Sequence, residues 1–291
     1  IMNKETENIL GTLDKIIKPL SSANAGIGSD GDEPFHAFAW STVEQGQFSF
    51  AALLNSIGSL TQIDVSTLIA EWESKNGYNS HVQGLVSELP NLIEILRSQL
   101  KQIQAYQLKT YTEQHWSPNT DLEELEVCEF IIGELQGEWV GICPVFPKPH
   151  TINYGQKFKR DTNSLSPSVF ALKQKIDRTL IKLKPALIRY EPQLSKGMIL
   201  ETAITKNELI EKLLESAHVL EIWQFKRFIK NYDNLEEDEK YHFSKLESFV
   251  NQNFQQPLLY VLGNWCIFRL YLVGQISNGD WLGTVTTASW T

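Results

Sequence analysis

Ile132-Gly133-Glu134-Leu135-Gln136-Gly137-Glu138-Trp139-Val140-Gly141-Ile142 and Val273-Gly274-Gln275-Ile276-Ser277-Asn278-Gly279-Asp280-Trp281-Leu282-Gly283-Thr284 are two versions of one pattern. Both read apolar-Gly-Glu/Gln-apolar, a turn, then Gly-acid-Trp-apolar-Gly, with one extra residue in the second turn. Internal repetition sets the unit that a fold multiplies, so it is read before any single motif. Each version predicts a β-hairpin. Apolar residues alternate before the turn, at Cys128, Phe130 and Ile132 and at Phe268, Leu270 and Leu272. A glycine in the turn then admits positive φ, and a strand opened by Trp follows.

Working outward, residues 92–108 and 246–262 align without a gap. Each predicts an amphipathic helix, carried by Leu92, Leu96 and Leu100 or by Leu246, Phe249 and Val250, that passes into a strand around Tyr106 or Tyr260. Between helix and hairpin the first copy has a longer stretch, 110–126, whose acids and turn residues predict a loop. Further upstream, Ile63-Asp64-Val65-Ser66-Thr67-Leu68 resembles Leu220-Glu221-Ile222-Trp223-Gln224-Phe225, and helices over 9–20 and 169–187 complete a parallel order. Prolines at 147 and 149 and the stretch Gly155-Gln156-Lys157-Phe158-Lys159-Arg160 interrupt this periodicity. The expectation is an α+β chain of two tandem domains, 5–147 and 167–291, joined by a linker at 148–166. A chain of 291 residues is long enough for two cores.

Hydrophobic residues make up 42% of the chain, yet no run reaches the eighteen or so apolar residues of a membrane span. The start, Ile1-Met2-Asn3-Lys4-Glu5, lacks the basic and then apolar regions of a secretory signal, so a soluble, cytoplasmic protein without membrane contact is expected. Cys128, Cys143 and Cys266 show no C-x-x-C spacing and read as buried thiols, neither a disulfide framework nor a zinc site. The net charge of −9 is uneven: residues 1–150 hold 20 acids against 8 bases, and residues 151–291 hold 15 against 18. An acidic first half repels nucleic acid and raises the encounter rate with a basic partner. Lys157, Lys159, Arg160, Lys173, Lys175 and Arg178 lack interleaved base-stacking aromatics and read as a solvated linker or helix face.

Signatures of catalysis are missing. Gly26-Ile27-Gly28-Ser29-Asp30-Gly31 fits G-x-G-x-x-G, but a dinucleotide site needs a strand before it and a helix after it, and here the order is reversed. There is no G-x-S-x-G, P-loop or H-E-x-x-H, and the six histidines are scattered. Glu123-Glu124 and Glu236-Glu237-Asp238-Glu239 lie in polar runs without the burial that raises a catalytic pKa. No cofactor is expected, and no enzymatic activity.

The helix–strand–hairpin segment closing in Gly-acid-Trp-apolar-Gly, with Pro34-Phe35-x-x-Phe38-x-Trp40 after an acidic loop, resembles the nuclease A inhibitor family. These are small proteins that block a sugar-non-specific, metal-dependent nuclease. The likeness covers most of 7–146 and, more weakly at its start, about 168–291. It implies an α-β-α sandwich with an antiparallel sheet, similar to the pathogenesis-related protein-1 fold, in each copy. It also implies that an acidic side chain before the Pro-Phe strand meets a basic residue of the nuclease, and that a C-terminal threonine reaches the nuclease's magnesium. By position the first role falls to Asp30, with Asp32 and Glu33 beside it, and the second to Thr291, eight residues after Gly283. Carboxylates held out in this way supply charge-assisted hydrogen bonds and hard oxygen ligands without a scissile ester.

The chain departs from the family pattern in one respect: Asp30 belongs to the first copy and Thr291 to the second. The second copy, around Arg189-Tyr190-Glu191-Pro192-Gln193-Leu194, lacks the acidic Pro-Phe loop. Three readings stay open. The two surfaces adjoin, or one copy is scaffold, or the pair has another partner, such as a different basic enzyme. An adaptor that keeps the fold without inhibiting a nuclease is the alternative function. The target's identity and the oligomeric state are not legible.

Overall fold

The computed structural model describes residues 2–22, 33–77, 83–109, 127–146, 154–160, 165–180, 198–226, 236–264 and 267–289. In chain order, α1 (Lys4–Ile17) is followed by β1 (His36–Trp40), α2 (Thr42–Gln45), α3 (Phe50–Ser56), β2 (Leu60–Ile63), α4 (Val65–Gly77), α5 (Gln83–Gln99), β3 (Lys101–Lys109), β4 (Val127–Leu135) and β5 (Glu138–Pro144). The second half continues with β6 (Gln156–Lys157), α6 (Pro167–Leu180), β7 (Met198–Ala203), α7 (Lys206–Ser216), β8 (Leu220–Gln224), α8 (Glu237–Asn253), β9 (Gln255–Asn264), β10 (Ile267–Gln275) and β11 (Trp281–Ser289). The protein is mixed α+β with two antiparallel sheets, ordered β1-β11-β10-β9-β8-β6 and β2-β3-β4-β5-β7.

Two compact units result, and they cut across the consecutive segments 5–147 and 167–291. Unit 1 is Ile1–Phe48, Pro149–Arg160 and Glu221–Thr291; unit 2 is Ser49–Lys148 and Asp161–Leu220. Each sheet takes its edge strand from the opposite half of the chain: β1 pairs with β11, and β7 with β5. The first helices follow their strands, α1 lying against α8 and α6 against α5. The sequence repeat identifies equivalent pieces, but strand pairing is set by nonlocal contacts, and here the pieces are interleaved.

The repeat is present in register. In unit 2, Ala105, Ile131, Ile142 and Leu200 form a row across four strands. Leu259, Leu272, Thr284 and Ala37 form the same row in unit 1. Gln102 and Gln256, aligned by the ungapped match, both have left-handed φ, at 49° and 45°. Each sits at the start of its strand, where pairing with the neighbouring strand slips as a β-bulge. Gly133 and Gly274 answer one packing need. A Cβ on either would come within 2.8 Å of Leu100 or 2.4 Å of Phe254, the equivalent residues that close the preceding helix. Upstream, Gly58 and His218 share positive φ, 73° and 64°, so Leu60 corresponds to Leu220. The likeness expected between 63–68 and 220–225 is therefore shifted by three residues.

Caps fix the helix starts earlier than periodicity alone suggests. Asn3 accepts the Glu5 N–H before α1, and Ser166 accepts the Val169 N–H before α6, with Pro167 at the first helical position. Leu13 and Ile17 of α1, with Phe243, Leu246 and Val250 of α8, bury against Leu259, Leu270 and Leu272 of the unit 1 sheet. In unit 2, Leu68, Leu92, Leu96, Val169 and Ile176 cover Ala105, Ile131 and Ile142. On the other face of that sheet α7 packs on β5 and β7, where Leu213 lies over Gly141 and its carbonyl accepts the Cys143 thiol at 3.4 Å. Among the described residues, no helix is long and apolar enough to cross a membrane.

Candidate acidic edge of unit 1

The Pro-Phe motif enters unit 1 as an anchor. Phe35, 5% exposed, meets Phe243 of α8 edge-on at 6.5 Å, a burial that stabilises by about 2–3 kcal/mol. Phe38 fits where Gly283 has no side chain; a Cβ there would come within 2.5 Å of its Cζ. Trp40 is buried and donates from Nε1 to the Gly46 carbonyl at 2.9 Å. Thus the glycine ending Gly-acid-Trp-apolar-Gly in the second half makes room for an aromatic from the first.

Just before this anchor, the chain is clamped. The Ser22 N–H donates to the Glu33 carbonyl at 2.8 Å, the Glu33 N–H donates to Ser22 Oγ at 3.1 Å, and Ser21 bridges Pro34. A further donor comes from the far end of the chain: Thr286 Oγ1 of β11 reaches the Glu33 carbonyl at 3.2 Å. The Glu33 side chain is exposed. Asp30, Asp32 and Thr291 lie outside the described residues; Glu33 directly follows Asp32, and Thr291 lies two positions beyond Ser289, the end of β11. So Glu33, the described flank of one expected determinant, lies beside β11, the strand that precedes the other. Sequence reading missed Ser22 and Thr286. Neither carries a local signal, because an isolated hydroxyl shows its partner only once the strands are paired.

The acid of the repeated hairpin has a structural part. Asp280, 5% exposed, accepts Thr6 Oγ1 at 2.6 Å and the Thr42 N–H at 2.9 Å. Glu138 in unit 2 accepts Ser166 Oγ at 2.6 Å. Each acid ties its hairpin to the helix drawn from the other half of the chain. Of the motif tryptophans, Trp40 is core, whereas Trp139 and Trp281 are half-buried. Trp281 stacks on Phe48 at 4.5 Å, and Trp139 has the Lys206 ammonium 6.0 Å from its ring centre.

Among the described residues, the remaining polar features suggest no second centre. A groove of about 540 Å³ between α1 and α8 is lined by Ile9, Ile16 and Phe249 together with Asn8, Ser248 and Gln252. Burial pushes the Cys128 and Cys143 thiols well above their ordinary pKa, with Glu129 adding to the effect at Cys128, so both are poor nucleophiles. Among the described residues no three His, Cys, Asp or Glu side chains gather as a metal site. Residues 26–31, the expected loop at 110–126, the linker prolines Pro147 and Pro149, and Cys266 lie outside the described residues. No family model matches the chain, and no curated protein matches it in sequence.

Proposed function

We propose that this protein is a non-enzymatic inhibitor of a sugar-non-specific, metal-dependent nuclease, acting through the acidic edge of unit 1 and needing no cofactor. On this reading each unit is a nuclease-inhibitor domain of the α-β-α, pathogenesis-related protein-1-like kind, and the protein acts in the cytoplasm. Asp30, Asp32 and Glu33 are proposed to meet basic groups of the nuclease, and Thr291 its metal. The observation carrying this reading is the Thr286 to Glu33 hydrogen bond, which sets the clamped end of the acidic segment beside β11. It supports the first of the three open arrangements, because Glu33 then lies beside β11, the strand that leads toward Thr291. A carboxylate held in place at Glu33 meets a cationic pocket with little ordering penalty, and charge complementarity speeds the encounter.

Titration of a magnesium-dependent, sugar-non-specific nuclease with the full chain tests this. Digestion should stop near equimolar ratio. Undiminished digestion at large molar excess would exclude inhibition and leave the adaptor reading.

A further inference from the structure

We infer that the two halves of the chain are the protomers of an arm-exchanged dimer carried on one polypeptide, so that each half offers a docking surface whose partner is the helix–strand arm of another copy. The inference does not depend on the inhibitor reading. The first half lends α1 and β1 to unit 1, where they lie against α8 and β11 of the second half. The second half lends α6 and β7 to unit 2, where they lie against α5 and β5 of the first. Both exchanges have one geometry. Trp40 and His36 of β1 face Trp281 and Val285, and Ala203 and Ile199 of β7 face Trp139 and Cys143 at the same places in the repeat. The hairpin acids close both junctions: Asp280 accepts Thr6 Oγ1 of α1 and the N–H of Thr42 just past β1, and Glu138 accepts Ser166 Oγ at the start of α6. Without its arm each half would leave β11 or β5 as a sheet edge with unpaired backbone groups, which is the surface the arm fits.

The helices that follow the arms supply a second, independent observation. In α3 the Ile57 N–H closes on the Leu53 and Asn55 carbonyls, and in α7 the Ala217 N–H closes on those of Leu213 and Glu215; the positive-φ pair Gly58 and His218 comes next. Counting back from that pair puts Ala51 and Glu211 at one position of the repeat. These two residues touch. Within unit 2, α3 packs on α7, and the buried Glu211 carboxylate accepts the Ala51 N–H at 3.2 Å. A residue that meets its own counterpart is the mark of a two-fold, isologous contact between copies. Copies that each closed on themselves would bring equivalent residues together only by accident.

The test uses the full chain with a protease site inserted between Phe146 and Tyr154, folded first and cut afterwards. The two fragments should co-elute at the mass of the uncut chain. The urea midpoint of the cut protein should rise with protein concentration, as for any obligate pair, while that of the uncut chain stays fixed. Asp280→Ala removes bonds that now run between fragments and should weaken their affinity about tenfold or more. Should that variant not fold, Thr286→Val takes its place: it removes the bond to Glu33, which also crosses the cut, and should weaken affinity about threefold. If the inserted site itself prevents folding, it is moved to lie between Arg160 and Leu165. Fragments that part as folded monomers, a midpoint independent of concentration, or an affinity that neither variant changes would each overturn the inference.

Discussion

Thr286 and Glu33, 253 positions apart in sequence, are joined by a hydrogen bond from the threonine Oγ1 to the glutamate carbonyl at 3.2 Å. The bond exists because β1, from the start of the chain, pairs with β11, from its end. It fixes Glu33 relative to the last strand, the geometry on which the proposed inhibitor edge rests.

Thr286→Val removes that donor while keeping the shape of a side chain only 2% exposed. The Glu33 carbonyl keeps the Ser22 N–H at 2.8 Å and is not left bare, so the loss should stay near one ordinary hydrogen bond, about 0.5–1.5 kcal/mol by urea denaturation. A loss well beyond that range would mean that the hydroxyl does more than this bond.

Asp280→Ala should be worse. It leaves Thr6 Oγ1 and the Thr42 N–H without their acceptor in a site that is 5% exposed, and charge-assisted bonds there are worth about 1.5–3 kcal/mol each. A destabilisation of about 2–4 kcal/mol is expected in the same denaturation experiment. An unchanged midpoint would refute the part given to this acid in tying hairpin to helix.

Thr284 and Gly283 make a pair of opposite sign. Thr284, 1% exposed, finds no hydrogen-bond partner for Oγ1 among the described residues, and its counterpart in unit 2 is Ile142. Thr284→Val should therefore leave stability unchanged or raise it by about 1 kcal/mol. Gly283→Ala drives a methyl to 2.6 Å from the Leu272 carbonyl and 2.5 Å from Phe38, and should cost about 1–3 kcal/mol or more in thermal melts.

Asp64 supplies a pH dependence. The Thr67 N–H, 2.8 Å from its carboxylate, holds the carboxyl below its ordinary pKa, with the Thr67 hydroxyl adding to the effect. A carboxyl whose folded pKa lies below its unfolded value stabilises above the unfolded pKa. That contribution fades as pH falls through the folded value. An NMR titration should find Asp64 protonating below a typical aspartate, and Asp64→Asn should flatten the acid limb of the stability curve slightly.

Much of the fold is legible in the sequence, and the unread part has a physical reason. Gly133, Gly141, Gly274 and Gly283 announce the hairpins because each is forced by a neighbour's bulk at the same place in both copies. The gap-free helix–strand alignment is matched by the twin bulges at Gln102 and Gln256. The shifted match near Leu60 has a simple cause. Asp64 opens α4 by accepting the Thr67 N–H, so β2 ends at Ile63, where the expected match begins. The helices begin earlier than predicted because Asn3 and Ser166 cap them from polar positions that periodicity ignores.

The interleaving itself leaves no local trace. A first strand with the pattern of β1 satisfies the last strand of either copy, since both offer an apolar row in the same register. Only the whole chain decides between them, and the expected edge shared by Glu33 and β11 depends on that decision.

Cysteine pairing measures it directly. His36 lies opposite Val285, whereas Ile199, its counterpart in β7, lies opposite Cys143. Facing residues on antiparallel strands have Cα atoms about 4.5–5.5 Å apart, within reach of a disulfide. Mild oxidation of the His36→Cys, Val285→Cys chain followed by peptide mapping should yield a 36–285 link in the monomer. A 36–143 link would show that each copy closes on itself, and would contradict the interleaved edge.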